Sequence, residues 1–130
     1  MNDPYFSLLQ EVIAKAYAPY SRFPVAAVAR GVSGTDYSGV NVENAAYPVG
    51  SCAEAAAIAA MIGAGGRKIT RIAVAGRGDL LCTPCGGCRQ RIREFAAADM
   101  DIFICDEQGL RQRFTLAELL PHSFGPDNLG

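Results

Sequence analysis

Residues 51–66 read SCAEAAAIAAMIGAGG, an alanine-rich and almost wholly apolar stretch that ends in glycines. Alanine is the strongest helix former and glycine commonly ends a helix, so the stretch predicts one helix. A helix that is apolar around most of its circumference has to be covered by other elements. The stretch therefore predicts a layered domain in which this helix is buried.

The segments on either side of this helix alternate between strand and helix patterns. Short apolar runs predict five strands, the first two forming a hairpin, at 25–29, 37–42, 69–75, 101–105 and 111–114. Three further helix starts are predicted from cap pairs: Asp3 with Pro4, Thr83 with Pro84, and the capping box of Thr115 with Glu118. The first of these helices is expected to stop near Ala18-Pro19. Strands that alternate with helices predict an α/β fold, a three-layer sandwich of one five-stranded mixed sheet with helices on both faces.

Length and charge limit the class of protein. The chain has 130 residues, of which 50% are hydrophobic, and this suits a single domain over 1–130. Its 12 Lys and Arg and 13 Asp and Glu give a formal net charge of -1, so no long-range positive field would gather a nucleic acid. No window reaches the roughly 18 apolar residues of a membrane span, and the N-terminus lacks a leader pattern. We expect a cytoplasmic protein with neither nucleic acid nor a membrane as its partner.

The cysteines indicate a metal site. There are five, an odd number, and Cys82, Cys85 and Cys88 follow one another at three-residue intervals, which suits no ordinary disulfide framework. Cys85 and Cys88 stand at the start of one predicted helix and Cys52 at the start of the buried one. Three thiolates on zinc leave one tetrahedral position open, which is typical of a catalytic site.

The charge of such a site needs compensation. Three thiolates and one zinc ion sum to -1, which opposes deprotonation of a bound water. Two helix N-termini aimed at the metal would each bring roughly half a positive charge. Glu54, two residues after Cys52, is close enough to the metal position to be a candidate general base.

The CAE of 52–54 followed by the PCGGC of 84–88 resembles the signature of the zinc-dependent nucleoside and nucleobase deaminases. From YAPYSRF at 17–23 to LLPHSFGPDNL at 119–129 the chain is similar to the small cytidine deaminases that act on free nucleosides, most specifically at NVENAAYPVGSCAE. The resemblance implies a cytidine deaminase-like fold and hydrolytic deamination of cytidine and deoxycytidine in pyrimidine salvage. Zn²⁺ would activate water for attack on ring carbon 4, Glu54 would shuttle protons, and no organic cofactor would be needed.

The same resemblance implies the remaining site residues. Asn41 and Glu43 would hold the ribose hydroxyls, Phe23 would pack on the pyrimidine, and the backbone of Ala53 would read the ring. The family members are homotetramers with shared sites, so Ala46, Tyr47 and Phe124 would complete a neighbouring subunit's pocket. Cysteine-ligated relatives often carry Arg directly after the catalytic Glu, where this chain has Ala55. Arg89 and the two helix dipoles are then the candidates to offset the thiolate charge.

Several alternatives stay open at this point. Ser51 and Glu54 also form a possible capping box, which would give Glu54 a purely structural role. Cys82 could join the other three cysteines in a closed structural zinc site, although it precedes the helix and we expect both Cys82 and Cys105 to be bystanders. A relative that deaminates a cytosine-containing antibiotic of the blasticidin type would share the metal motif. An RNA-binding face formed by Arg89, Arg91 and Arg93 is opposed by Glu94 and the net charge, and His122 is expected to be exposed.

Overall fold

In the computed structural model, which describes residues 4–130, one five-stranded sheet has helices on both faces. The elements in chain order are α1 (Pro4–Ile13), β1 (Val25–Gly31), β2 (Asp36–Val40), α2 (Ala53–Gly63), β3 (Ile69–Gly76), α3 (Gly86–Phe95), β4 (Asp101–Asp106), β5 (Gly109–Thr115) and α4 (Leu116–Leu119). Short 3-10 turns lie at Tyr47–Val49 and Pro126–Leu129. The predicted α/β sandwich is confirmed.

The sheet is mixed. Its strand order is β2-β1-β3-β4-β5, and only β3 and β4, at its centre, are parallel. The other neighbours are antiparallel, with β1 paired to β2 through the predicted hairpin. Because consecutive strand residues face opposite sides, β1 supplies Ala26 and Val28 to one core and Ala27 and Ala29 to the other.

The two cores contain different helices. One face of the sheet is covered by α1, whose Tyr5, Phe6, Leu9, Val12 and Ile13 are buried. The hydroxyl of Tyr5 donates to the Val28 carbonyl, and this bond attaches the start of α1 to β1. The opposite face is covered by α2, α3 and α4 through Met61, Ile92 and Leu116 among others. The loops that lead into α2 and α3 lie on this second side.

Helix α2 is buried on one face only, whereas the sequence predicted that the whole helix would be buried. Ala53, Ala57, Ile58 and Met61 are buried, whereas Ala59 and Ala60 are exposed on the isolated chain. The buried face approaches the sheet at Gly39 of β2, where a β-carbon would lie 2.4 Å from the Ala57 nitrogen. The contact requires a glycine at this position.

The structure tests three of the predicted helix boundaries. Helix α1 ends at Ile13, before the predicted stop near Ala18-Pro19, and the proposed cap Asp3 lies outside the described residues. Helix α3 begins at Gly86 with Cys85 as its N-cap, so Thr83 is not the cap and Pro84 is not the first residue. The capping box of Thr115 with Glu118 is confirmed.

Among residues 4–130, no helix is long and apolar enough to cross a membrane.

Candidate active site

Three cysteine sulfurs meet between the starts of α2 and α3. Cys52 is the N-cap of α2, Cys85 is the N-cap of α3, and Cys88 lies in the first turn of α3. Their Sγ atoms all lie within 4.8 Å of one another. Sulfurs bound to one zinc at about 2.3 Å are about 3.8 Å apart, so the three thiols fit a zinc ion with little adjustment.

The donor set has three members. Within residues 4–130 these cysteines are the one cluster of His, Cys, Asp or Glu with metal-binding spacing, and Cys82 is not part of it. A closed site with four cysteine ligands is therefore not the arrangement that the fold produces. Three clustered sulfurs, of which those of Cys52 and Cys85 belong to residues that line a cavity, match the open type of zinc site.

The three thiols differ in the direction in which their surroundings shift the pKa. Burial raises the pKa values of Cys52 and Cys88, so that these two thiols hold their protons in the metal-free protein. The backbone amides of Cys88 and Gly87 lower the pKa of Cys85, because the thiolate accepts from the open start of the helix. A metal ion would displace the protons of Cys52 and Cys88 when it binds.

Glu54 is the buried acidic residue beside this cluster. Only 5% of its surface is exposed, and burial raises its pKa above the ordinary value of a glutamate. The raised pKa brings the carboxyl group closer to the range in which it can both accept and return a proton. Such a pairing of a buried carboxyl group with a cavity is a common property of general acid–base residues.

The capping-box interpretation of Glu54 is wrong. The N-cap of α2 is Cys52, so Glu54 occupies the second helical position and not the third position from a Ser51 cap. The backbone N–H of Ser51, which a capping box would engage, donates to the Val42 carbonyl at 2.9 Å. The Glu54 carboxylate is thus free of that structural role.

A cavity of about 600 Å³ opens onto Glu54, Cys52 and Cys85. Its wall also contains four of the predicted substrate-binding residues, namely Asn41, Glu43, Tyr47 and Ala53. Tyr20, Ser21 and Thr83 also line it and were not predicted to contact substrate or metal, and Cys82, the alternative fourth zinc ligand, lines it too. The wall does not include Phe23, Ala46 or Phe124 of the predicted set, and Cys88 is buried behind it.

Backbone pairing between loops places Asn41 and Glu43. Val42 forms bridges to both Tyr17 and Ser51, with N–H to carbonyl distances near 2.9 Å to Ser51 in each direction. These bridges hold the segment that follows β2 against the segment that precedes α2. Asn41 and Glu43, on the segment that follows β2, are thereby fixed beside the metal cluster.

Both polar side chains make local hydrogen bonds in the isolated chain. Asn41 accepts from the Val25 amide at 2.9 Å and donates to the Phe23 carbonyl at 2.9 Å. Glu43 accepts from the amides of Tyr20 at 2.9 Å and Ser21 at 3.0 Å, and from the Ser21 hydroxyl. The bonds from Ser21 lower the pKa of Glu43, so that its carboxylate is ionised. Each side chain keeps lone pairs or an N–H for a further partner.

The three residues expected to serve a neighbour lie at the surface. Tyr47 is 76% exposed and contacts the Tyr20 ring at a centroid distance of 6.2 Å, while the Ala46 amide donates to Asn44 at 2.8 Å. Phe124 is 58% exposed. None of the three is covered by the chain itself.

Helix α3 anchors the segment that carries Phe124. The Gln90 side chain donates to the Phe124 carbonyl at 2.8 Å, and Arg93 donates to the Ser123 hydroxyl at 3.0 Å. The Arg93 guanidinium lies so close to Gly125 that a β-carbon there would fall 2.3 Å from Nη2. The same helix therefore begins at the metal cysteines and holds the C-terminal aromatic ring outward.

Phe23 lies at the edge of the site. Its ring is 41% exposed, and it converges with the Cys82 side chain on Gly76, where a β-carbon would lie 2.8 Å from the Cys82 sulfur and 3.0 Å from the ring. Burial raises the pKa of Cys82 to about 11, consistent with a packed and protonated thiol. Cys105 is buried at the opposite face of the sheet, beside α1. His122 is exposed, as expected.

A family model, known sequences and solved structures all show that the chain is similar to cytidine deaminases. Residues 2–104 match the family described as the cytidine and deoxycytidylate deaminase zinc-binding region. Cytidine deaminase of Sporosarcina psychrophila is 38% identical over 115 residues, covering 88% of this chain and 85% of the relative. Cytidine deaminase of Mycobacterium tuberculosis H37Rv is 40% identical over 120 residues, covering 92% and 86%.

Solved structures agree with the sequence relatives. The crystal structure of cytidine deaminase from Burkholderia pseudomallei superimposes with a TM-score of 0.88 at 33% identity, covering 95% of this chain and 99% of that one. The cytidine deaminase from Mycobacterium tuberculosis gives a TM-score of 0.79 at 34% identity, covering 94% and 95%.

Proposed function

Since the chain belongs to the zinc-binding family of cytidine and deoxycytidylate deaminases, we propose that it deaminates free cytidine and deoxycytidine. The reaction consumes one water and yields uridine or deoxyuridine with release of ammonia. The observation that carries the proposal is the placement of a buried glutamate, Glu54, next to a three-sulfur cluster at the wall of one cavity. Neither part alone would indicate a hydrolytic deaminase.

The zinc ligands in this proposal are Cys52, Cys85 and Cys88. Their spacing within 4.8 Å and the lack of a fourth protein ligand among the described residues support this assignment. Bound zinc supplies Lewis acidity, which makes water a nucleophile near neutral pH. The two helix N-termini that begin at Cys52 and Cys85 direct partial positive charge at the same point.

Glu54 carries the protons. Its carboxylate accepts one proton from the attacking water and delivers it to ring nitrogen 3 of the pyrimidine. It then takes the second proton from the oxygen added at carbon 4 and passes it to the departing amino group, so that ammonia leaves as the carbonyl forms. Burial supports this role, because a carboxyl group with a raised pKa keeps its proton from solvent more strongly and can pass it to a bound substrate. Only 5% of the surface of Glu54 is exposed, which leaves little room for water to compete for that proton.

The nucleoside is held by residues on three segments. Asn41 and Glu43 are proposed to bind the ribose hydroxyls through the hydrogen-bonding capacity that their local bonds leave unused. The backbone of Ala53, at the cavity wall, is proposed to hydrogen-bond the ring. Phe23 would have to move inward to pack on the pyrimidine, since its ring lies outside the wall in this structure.

We further propose a homotetramer in which each pocket is completed by Ala46, Tyr47 and Phe124 of a neighbour. The exposure of the two aromatic rings and of the small-residue face of α2 supports this assembly, because both would be buried by association. The chain is proposed to act as one domain over 1–130 in the cytoplasm. Its net charge of -1 gives no support to a nucleic-acid partner.

The two alternatives receive less support. A structural zinc protein would need a fourth ligand, and Cys82 lies outside the sulfur cluster. An enzyme for a cytosine-containing antibiotic would not need the group of Asn41, Glu43 and Asn44 that lines the cavity beside Glu54. A ribonucleoside or deoxyribonucleoside is the substrate class that this wall fits.

The test is direct. Purified zinc-loaded protein should remove the cytidine absorbance band and release one ammonia per nucleoside, with adenosine and a blasticidin-type compound as controls. Deoxycytidine should also be consumed. Turnover of the antibiotic without turnover of cytidine, or of neither compound, would contradict the proposed function.

A further inference from the structure

The proposed metal site carries more negative charge than its metal can neutralise. One Zn²⁺ and three thiolates sum to -1, and an ionised Glu54 beside them adds a second negative charge. Uncompensated charge at a partly buried site is costly, so a nearby cation is expected. Position 55, directly after the glutamate, offers only Ala55. The compensating cation must come from another element.

Arg89 was the expected candidate, and its contacts are elsewhere. Its Nε donates to the Pro84 carbonyl at 2.7 Å and its Nη1 donates to the Leu119 carbonyl at 2.8 Å. Its Nη2 lies 3.4 Å from the Thr83 hydroxyl. The guanidinium therefore links the loop before α3 to the end of α4, and its acceptors are neutral oxygens. Its contacts are those of a residue that shapes the loop.

Arg91 is the cation that reaches the sulfur cluster. Its Nη1 donates to the Cys88 sulfur at 3.7 Å, the range of a hydrogen bond to sulfur. The side chain folds back along α3 toward the start of the helix. The same nitrogen lies close to Gly87 there, only 3.4 Å from where a β-carbon on that residue would be. One guanidinium thus contacts a proposed metal ligand directly.

We infer that Arg91 is a positioning residue that offsets the excess thiolate charge of the metal site through its contact with Cys88. The inference rests on the proposed function for the identity of the metal site and goes beyond it by assigning the compensating cation. Loading the site creates thiolate charge on buried Cys88, and the guanidinium stabilises that state. Because the side chain is itself exposed, added salt should weaken its contribution.

The experiment measures zinc retention and does not depend on turnover. Zinc-loaded protein is titrated with a chromogenic chelator for wild type, Arg91→Gln, Arg91→Lys and the control Arg113→Gln. Arg113 lies on the edge strand β5 and pairs with Asp101 of β4. Replacing Arg113 therefore removes one positive charge, as in the Arg91 variant, but away from the site. Circular dichroism checks the fold of each variant.

Arg91→Gln should bind zinc ~10-fold more weakly than wild type, the scale for losing an outer contact to a metal ligand. Arg91→Lys should recover most of this loss and Arg113→Gln should show none. At about 1 M salt, where the Debye length is about 3 Å, the difference between Arg91→Gln and wild type should shrink. A salt-independent loss, or a Lys variant as weak as the Gln variant, would assign Arg91 to packing and overturn the inference, as would unchanged zinc binding in Arg91→Gln.

The two proposals fail separately. If Arg91→Gln weakens zinc binding while no form of the protein deaminates cytidine, the inference stands and the proposed function fails. If wild type deaminates cytidine and Arg91→Gln retains zinc as tightly as wild type, only the inference fails.

Discussion

Gly39 of β2 lies directly against the backbone of Ala57 in α2. A β-carbon built on Gly39 would fall 2.4 Å from the Ala57 nitrogen and 2.5 Å from the Ala53 carbonyl oxygen. Both obstructing atoms are backbone, so they cannot rotate away as a side chain would. Because α2 starts at Cys52 and carries Glu54, this contact sets the height of the metal ligand and the proposed base above the sheet.

Gly39→Ala should therefore destabilise the protein and loosen its metal site. Overpacking against backbone costs ~1–3 kcal/mol, so the free energy of unfolding measured in urea should fall by about that amount. The amount of bound zinc should also fall. Gly63→Ala, at the other end of α2 with no atom near its added methyl group, is the control and should be neutral or stabilising. Equal stability of the two variants would show that α2 does not rest on β2 as described.

Glu54→Gln should keep the fold and the zinc and lose most turnover. The amide keeps the shape of the carboxylate but cannot accept a proton, and general-base residues contribute ~10²–10⁴-fold. Cytidine turnover, metal analysis and unfolding are measured on the same preparation. Activity within about tenfold of wild type would mean that another group carries the protons.

Cys82→Ser should leave zinc content and turnover nearly intact. Its sulfur packs with Phe23 over Gly76, outside the three-sulfur cluster. Cys88→Ser, the matched change at a proposed ligand, should lose the metal. Loss of zinc in the Cys82 variant would favour a four-cysteine site.

Phe124→Ala should raise the KM for cytidine and leave zinc content unchanged, because the ring contributes a stacking surface and no metal ligand. Leu129→Ala removes another exposed apolar side chain from the same terminal segment and should have no effect. Sedimentation and activity are followed together on dilution, and both should fall in parallel. A fully active monomer would refute the shared pocket.

Stability at high pH should depend on Cys105. Burial raises the pKa of this thiol to about 12 from 9.0, so the folded state keeps a proton that the unfolded state loses. The contribution is complete below pH 9 and is lost as the pH rises toward 12, because the unfolded state alone ionises in that window. Between pH 8 and 10 wild type should lose about 1.4 kcal/mol of unfolding free energy more than Cys105→Ala. Parallel pH dependences in urea titrations would contradict this.

Sequence patterns predicted the parts of this protein that depend on local chemistry. The five strands, the Thr115 capping box and the three-cysteine set follow from periodicity, cap residues and spacing, and each is present in the fold. The predicted start of α3 at Pro84 was wrong, because proline suits the first position of a helix and an extended loop equally well. Cys85 is extended, with φ -67° and ψ 169°, and the helix starts after it.

Other features depend on tertiary contacts that no local pattern encodes. The contact of Gly39 with α2 joins residues from separate elements. The arginine run suggested a solvated face or a nucleic-acid surface, and only the packed helix distinguishes Arg89, Arg91 and Arg93 by their partners. The spacing of Arg91 three residues after Cys88 was the available signal.

The placement of Cys52 and Cys85 as N-caps sets stability against catalysis at two positions. Ser, Asp and Asn are the residues that best stabilise a helix start, and cysteine offers no oxygen for that purpose. A library selected only for thermal resistance should thus drift toward Ser or Asp at 52 and 85, and each such gain would remove a proposed metal ligand. Selection for thermal stability and selection for activity would therefore favour different residues at positions 52 and 85.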